Sequence, residues 1–403
     1  MLISYDVRGI YPDEINESTV KFFAKKFYNF LKRKKIHPQI FLAIDQRNSS
    51  INLASAFCDS YISYGKGSIE YLGILPVPIF YYYCLKNQKA GVMVTASHLP
   101  SRFNGLKFFL PNGESWIYKG KIPSKIKSKR VSKVRYKNVV FENIYEEYIF
   151  DIKKFYKLKD NHYLNANEKD TFVNYFLFKS LEKIEKKIKI KTNSNLKVMS
   201  DFDGDRLWVI YKNETILPEQ ILYAILKLGY YKKIGVPLNI SKKILETFKG
   251  LNFVFIPTGH SNFKKAFKKY KLDFAFEPTF HYYFFKEIKT ESPLIGFLRF
   301  LEYIERFGFE EILKNKFYVK RFEVKNRLDI ERISDLLKKD GFRVKKFDGF
   351  NFTKYNNKDY FVVHIRKSKT EKNVFRLFLE ASSESGLRFL QKLIIKIIKN
   401  GNN

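Results

Sequence analysis

Ala90-Gly91-Val92-Met93-Val94-Thr95-Ala96-Ser97-His98-Leu99-Pro100 is an apolar run that breaks into a serine, a histidine and a proline. The pattern reads as a buried strand over 90–95 whose carboxyl end presents Ser97. Working outward, residues 40–44 form a second buried strand that leads into Asp45-Gln46-Arg47-Asn48-Ser49-Ser50. Residues 69–72 suggest a third, ending at Gly73 and the Pro76-Val77-Pro78 turn. Helices are predicted between these strands. One follows Ser18 as N-cap, with Val20, Phe23, Phe27, Phe30 and Leu31 on one face; one covers 53–64 and stops at Gly65; one covers 79–85. Strand–helix alternation of this kind implies an α/β layered domain with a mainly parallel sheet. Loops at the carboxyl ends of such strands are where ligands bind, and Ser97 stands on one.

The same alternation continues. Residues 118–138 are lysine-rich and read as a solvated boundary. Beyond it come a helix over 141–156, a basic helix over 169–191, strands over 196–199 and 207–211, and a helix from Pro218 closed by Gly229. A third unit has strands over 234–238, 253–256 and 274–276, a helix from Ser241, a basic helix from Asn262 and a helix over 295–307. A fourth has strands over 317–324, 360–365 and 375–381, and helices over 329–337 and 384–398. The domains expected are 1–136, 137–230, 231–315 and 316–403.

The 403 residues, 45% hydrophobic, suffice for several cores. Cys58 and Cys84 are the only cysteines, which excludes a disulfide framework and a Cys-rich metal site. The formal charge of +34 raises the question of nucleic acid. The lysines are spread along the whole chain, so solvated faces are the preferred reading, with a field that attracts phosphorylated metabolites. The start of the chain lacks a basic region followed by a long apolar run, and prolines interrupt the longest apolar stretch. A soluble, cytoplasmic protein is expected; oligomeric state is left open.

Three constellations carry chemistry. Asp201, Asp203 and Asp205 fall within five residues between two apolar strands. Such carboxylates repel one another unless a cation neutralises them, and hard oxygen ligands suit Mg²⁺. An exposed polar turn is the plain alternative. An EF-hand is excluded, because Arg206 and Lys212 stand where Gly and Glu are required. The Asp-x-Asp-Gly turn also suits a haloacid-dehalogenase-like phosphatase, although Asp205 and Arg206 after the glycine are unusual there. Ser97-His98, with Lys107 ten residues on, is a place where a hydroxyl can be made reactive. A serine hydrolase is the competing reading, but it lacks a Gly-x-Ser-x-Gly elbow. Arg366, Lys367, Ser368, Lys369, Thr370 and Arg376 gather cations and hydroxyls fit to cradle an oxyanion, or form a basic solvated loop. His260 and His281 stand at strand exits without zinc-ligand spacing.

The order of these motifs resembles the α-D-phosphohexomutase family, and within it the phosphomannomutase/phosphoglucomutase branch. Tyr5-Asp6-Val7-Arg8-Gly9-Ile10-Tyr11-Pro12 resembles the opening of that branch, and Asp45 to Ser50 and Gly73 to Pro78 its next landmarks. Thr95 to Pro100 with Asn104-Gly105-Leu106-Lys107 looks like the phosphoserine loop, and Asp201 to Arg206 like the metal loop. Thr258-Gly259-His260-Ser261 and Glu277-Pro278-Thr279-Phe280-His281 are similar to the sugar-recognition loops, and Arg366 to Glu371 with Arg376 and Glu380 to the phosphate loop. The departures are Leu99 for Asn, Phe202 for Gly, Phe276, Thr279 and Phe280 for Gly, Ser and Gly, and Lys369 and Lys372 for Asn and Pro.

The resemblance implies four domains, three similar α/β layered ones and a smaller α+β one at the C-terminus. It implies an intramolecular phosphotransferase that interconverts hexose 1-phosphate and hexose 6-phosphate, of mannose or glucose, through a phosphoserine and a hexose 1,6-bisphosphate. Ser97 would carry the phosphoryl group, with Arg8, His98, Lys107 and Arg206 around it. Ser97, Asp201, Asp203 and Asp205 would hold one Mg²⁺. Thr258, Gly259, His260, Glu277, Thr279 and His281 would meet the sugar. Arg366, Ser368, Lys369, Thr370 and Arg376 would hold the phosphate that is not in transfer. Reorientation of a bisphosphate implies hinge motion near residue 316. A glucosamine-phosphate mutase, a homologue that binds sugar phosphates without turnover, and a nucleic-acid-binding protein are the alternatives.

Overall fold

A computed structural model of the protein describes residues 2–3, 6–65, 67–123, 137–138, 141–165, 172–191, 193–325, 328–356, 359–369, 371 and 373–401. Most of the expected lysine-rich boundary (124–136), the beginning of the expected helix over 169–191, Lys372 and Thr370 lie outside the described residues. The chain separates into two compact units: Met1–Ile216 with Thr279–Arg306, and Leu217–Pro278 with Phe307–Asn403.

The first unit is built around a seven-stranded sheet in the order Leu2–Ile3, Val7–Ile10, Phe103–Phe109, Ala90–Val94, Gln39–Ile44, Ser68–Ile74, Lys137–Asn138. Gln39–Ile44 runs parallel to both its neighbours, but Phe103–Phe109 is antiparallel to Ala90–Val94 and to Val7–Ile10. The sheet is therefore mixed rather than mainly parallel. The connection over 95–102 is too short for a crossover helix, so the chain must return antiparallel. That return is what carries Lys107 back beside the strand that delivers Ser97. Gly105 makes the close approach possible: a Cβ there would lie 2.3 Å from Val7 O and 2.7 Å from Thr95 O.

The helix Glu17–Arg33 buries Val20, Phe23, Phe27 and Leu31, as its period requires. Its cap is Asn16 and not Ser18; the Asn16 side chain accepts the Thr19 amide at 3.1 Å. Phe27 sits 4.9 Å from Phe108 and 5.2 Å from Trp116, ring to ring, which ties the helix to the sheet. The third helix, Val77–Lys86, starts two residues earlier than expected, because Pro78 falls in the first turn, where no amide donor is needed. Cys58 and Cys84 are free and buried.

A second, five-stranded sheet orders Glu214–Thr215, Leu207–Tyr211, Leu196–Ser200, His162–Asn165 and Ile188–Ile190. The expected single helix over 169–191 is a helix, Phe172–Ile184, followed by the strand Ile188–Ile190. Ile188 is buried and Lys189 exposed, a period of two that the dense lysines hide in the sequence. The first unit also contains the hairpin His281–Phe284 with Thr290–Glu291 and the helix Pro293–Phe307, whose last residue passes into the second unit.

In the second unit Lys233–Val236 lies parallel to Asn252–Phe255 and to Phe274–Glu277. The helix His260–Tyr270 begins two residues earlier than the expected start at Asn262. An antiparallel sheet follows, ordered Tyr318–Val324, Phe375–Ala381, Asp359–Lys367, Phe350–Asn356, Arg343–Lys346. Ile333 and Leu337 of one helix and Leu390 and Ile394 of the last helix pack with Leu377 and Leu379 of this sheet. The residues on either side of 316 share this unit. Glu380 accepts the Ser241 hydroxyl at 2.5 Å and the Lys242 amide at 2.8 Å, and Arg321 pairs with the fully buried Glu219. No helix among the described residues is long and apolar enough to cross a membrane.

Candidate active site

Ser200 pairs with Leu207 across two antiparallel strands, so residues 201–206 are a tight hairpin loop, and Gly204 takes the left-handed turn at φ 71°. One carboxylate oxygen from each of Asp201, Asp203 and Asp205 falls within 4.8 Å of the others. The loop is docked by its backbone: the Val77 amide donates to Asp203 O at 2.7 Å. This gives the Pro76-Val77-Pro78 landmark a physical task, because the free amide at the helix start holds the aspartate loop.

The serine loop meets the same cluster. Ser97 is buried and has a left-handed backbone (φ 54°). Its Oγ donates to Asp201 Oδ2 at 3.4 Å, and its amide donates to Thr95 Oγ1 at 2.8 Å. Thr95 Oγ1 in turn donates to Asp203 Oδ2 at 3.1 Å. Lys107 is buried, with Nζ 2.8 Å from Asp203 Oδ2 and 2.7 Å from Asp205 Oδ2. Arg206 Nε is 3.9 Å from both Asp201 and Asp205, and His281 Nε2 is 3.4 Å from Asp205 Oδ1. Arg8 is pinned on Asp6 at 2.6 Å and donates to Ala96 O at 3.1 Å, directly before Ser97. His98 is half-buried on the same loop.

Burial, then the neighbouring Asp205 and Asp203, push the Asp201 carboxyl well above its ordinary range. Against the cost of burial, Lys107 and His281 hold Asp205 well below it. The Lys107 ammonium is held well above its usual range by Asp203 and Asp205, again against burial. Asp203 Oδ1 is buried and has no hydrogen-bond partner among the described residues. An orphaned carboxylate oxygen beside two more carboxylates and a serine oxygen is a donor set that fits a hard divalent cation.

A second group forms in the second unit. Thr258 donates its amide and its hydroxyl to Asp348 Oδ2 at 2.7 and 2.6 Å. Lys369 Nζ reaches Asp348 Oδ1 at 2.5 Å and Thr258 O at 3.0 Å. The Gly259 amide donates to Glu277 Oε1 at 2.7 Å, and His260 opens the helix that follows. Arg366, Ser368 and Arg376 are half-buried, and Arg376 pairs with Glu371 at 2.9 Å. The sugar-loop residues divide: Glu277 belongs to the second unit, whereas Thr279 and His281, 3.0 Å apart, belong to the first. Sequence reasoning missed Thr95, Asp348 and the task of Arg47. Asp348-Gly349 stands as a turn signal between two strands that were also missed.

His364 lies buried on the strand leading into the phosphate loop. Burial, helped by the charges of Arg366 and Lys369, pushes its pKa down to about 4 from 6.5, although Asp348 opposes this. The folded state therefore holds the neutral ring. Its contribution is complete above pH 6.5 and is lost as the pH falls from there toward 4, by about 3 kcal/mol at most. Denaturant titrations of the wild type and His364→Leu between pH 7 and 4 should show a shallower acid decline in the variant; identical slopes would remove the assignment.

The family model for phosphoglucomutase/phosphomannomutase, alpha/beta/alpha domain I, matches residues 3–129, and that for domain III matches residues 220–318. Together they cover more than half of the chain. The chain belongs to the α-D-phosphohexomutase family. A phosphomannomutase of Methanocaldococcus jannaschii is 27% identical over 96% of this chain and 94% of its own length. A phosphoglucosamine mutase of Clostridium botulinum is 35% identical over 27% of this chain and 24% of its own. The fold is that of a phosphoglucomutase/phosphomannomutase family protein from Burkholderia thailandensis, with a TM-score of 0.78, 18% identity and coverage of 100% of this chain and 98% of that one.

One departure of this chain from the family pattern is visible in the backbone. Phe280 replaces a glycine yet keeps a glycine-like backbone, φ 64°, at a cost of roughly 1–2 kcal/mol. Its ring turns to Trp208, 5.5 Å away centroid to centroid.

Proposed function

We propose that the protein interconverts hexose 1-phosphate and hexose 6-phosphate, with mannose or glucose as the sugar, using Ser97 as phosphoryl carrier and a hexose 1,6-bisphosphate as intermediate. The observation that supports this best is the meeting of Ser97 Oγ with Asp201, beside Asp203, Asp205 and Lys107, in one buried cluster. The net exchange moves a phosphoryl group from Ser97 Oγ to a sugar hydroxyl oxygen and a proton from that hydroxyl to Ser97. Such transfer needs in-line positioning and charge stabilisation more than covalent chemistry by the protein.

In this reading Ser97, Asp201, Asp203 and Asp205 hold the Mg²⁺, which supplies charge neutralisation when bound. Lys107 adds positive charge at the carboxylates, and Arg8, His98 and Arg206 line the same pole. Glu277, Thr258, Gly259, His260, Thr279 and His281 recognise the sugar. Arg366, Ser368, Lys369, Thr370 and Arg376 hold the phosphate at rest, and reorientation of the bisphosphate calls for hinge motion near 316. The cytoplasm is the setting this chemistry implies. The botulinum relative makes glucosamine phosphate the second sugar to test.

A coupled assay with Mg²⁺ and glucose 1,6-bisphosphate, run on the 1-phosphates of mannose, glucose and glucosamine, decides among these. Turnover of mannose or glucose 1-phosphate is expected. Turnover of glucosamine 1-phosphate alone would reassign the sugar. No turnover on any of them, with saturable binding, would leave a sugar-phosphate binder.

A further inference from the structure

Arg47 uses every donor of its guanidinium on the backbone and side chains around Ser97. Nε donates to Asp45 Oδ2 at 2.8 Å. Nη1 donates to Pro100 O at 2.7 Å and Phe103 O at 3.0 Å, and Nη2 to Ser97 O at 2.5 Å and Leu99 O at 2.7 Å. Five N–H groups thus make five bonds, four of them to carbonyls of the loop that presents the serine. Asp45 is itself fixed by the Arg47 amide at 3.1 Å and by the Ser50 hydroxyl at 2.6 Å. The whole assembly is buried, with the Arg47 side chain 1% exposed.

The face of the same guanidinium is covered by Phe202, its carbon 5.0 Å from the ring centroid. Phe202 stands between Asp201 and Asp203, so the residue that caps the arginine is part of the aspartate loop. The left-handed backbone of Ser97 is uphill for a side-chain-bearing residue, and Arg47 grips its carbonyl.

We propose that Arg47 is the positioning residue for the phosphoryl carrier and that Phe202, by stacking on it, couples the aspartate loop to the serine loop so that the two move as one part. The proposal rests on the reading of Ser97 as phosphoryl carrier. Where the family has glycine, this chain has gained a side chain with a partner. A misplacement of the reacting oxygen by about 1 Å costs on the order of 10²-fold in rate. Lysine has three donors and cannot reach the four carbonyls that the fork holds.

The test uses the full chain with Mg²⁺, first treated with glucose 1,6-bisphosphate so that Ser97 is phosphorylated, then mixed with mannose or glucose 1-phosphate in a rapid-quench apparatus. Loss of the phosphoprotein mass reports single-turnover transfer. R47K should slow it by about 10²-fold and F202L by about 10-fold, each with KM changed less than about threefold. F202Y, which keeps the ring, should recover most of the F202L loss. Hydrogen exchange of the peptide spanning 97–103 should quicken in both R47K and F202L, a readout that needs no activity. Wild-type rates and wild-type exchange in F202L would overturn the coupling, whether or not R47K folds. A wild type that takes no phosphate on Ser97 would sink the proposed function instead, and the exchange data would still decide the coupling.

Discussion

Ser97→Ala should abolish phosphate incorporation and lower mutase turnover by at least about 10³-fold, since it deletes the group to which the phosphoryl is bound in every cycle. The loss should be chemical and not structural. Among the described residues Ser97 Oγ makes only a long hydrogen bond, 3.4 Å to Asp201, so its removal should cost no more than about 1 kcal/mol of stability. The backbone contacts that shape the loop, from Arg47 to Ser97 O and from the Ser97 amide to Thr95, survive the substitution. Intact-protein mass should show a fraction of wild type carrying one phosphate, and peptide mapping should place it on Ser97. Alanine at this position that retains full turnover, or a phosphate found on another residue, would end the assignment. Circular dichroism and thermal melting of the variant guard against a trivial cause.

Much of this site was legible in the sequence because its parts sit at strand exits. Ala90 to Val94 is apolar throughout, so the strand and the polar loop that follows it were evident, and the turn after Ser200 was marked by Asp-Gly. What was not legible depends on distance along the chain. Arg47 is about fifty residues from Ser97, and nothing in Asp45-Gln46-Arg47 says that its fork faces four carbonyls. Asp348 was missed for a related reason. Its strands, Arg343–Lys346 and Phe350–Asn356, are mostly polar and half exposed; Val344 stands alone and the Phe350–Phe352 alternation stops at Lys354, so the apolar period is too short to announce them. The mixed sheet was misjudged because β pattern does not carry direction; only the short return over 95–102 does. The helix expected over 169–191 runs only over Phe172–Ile184, because Lys186, Lys187, Lys189 and Lys191 look in the sequence like the continuation of its basic face.

Lys107→Met should destabilise the metal-free protein by about 3–5 kcal/mol, and Mg²⁺ should return a large share of it. Lys107 is the close cation of the cluster, 2.8 Å from Asp203 and 2.7 Å from Asp205, and its side chain is 2% exposed. Arg206 stands off at 3.9 Å and His281 at 3.4 Å. Methionine fills the same volume but leaves two buried carboxylates without their partner, the costly half of breaking a buried ion pair. A cation bound only by the folded state adds RT ln(1 + [L]/Kd), about 2.7 kcal/mol at a hundredfold excess over Kd. The free Asp203 Oδ1 gives that ion a ligand even when Lys107 is present, so the wild type should also be stabilised. Its gain should be smaller, because in the wild type the ion adds one more positive neighbour to carboxylates already paired with Lys107, whereas in the variant it replaces the missing one. Thermal melts in EDTA and in millimolar Mg²⁺ measure all four states. The melting temperature of the variant in EDTA should drop by roughly 10 °C, and the gap to wild type should narrow on adding Mg²⁺. A gap that stays constant with Mg²⁺ would mean that the aspartates do not hold the ion, and the metal would have to be sought elsewhere in the chain.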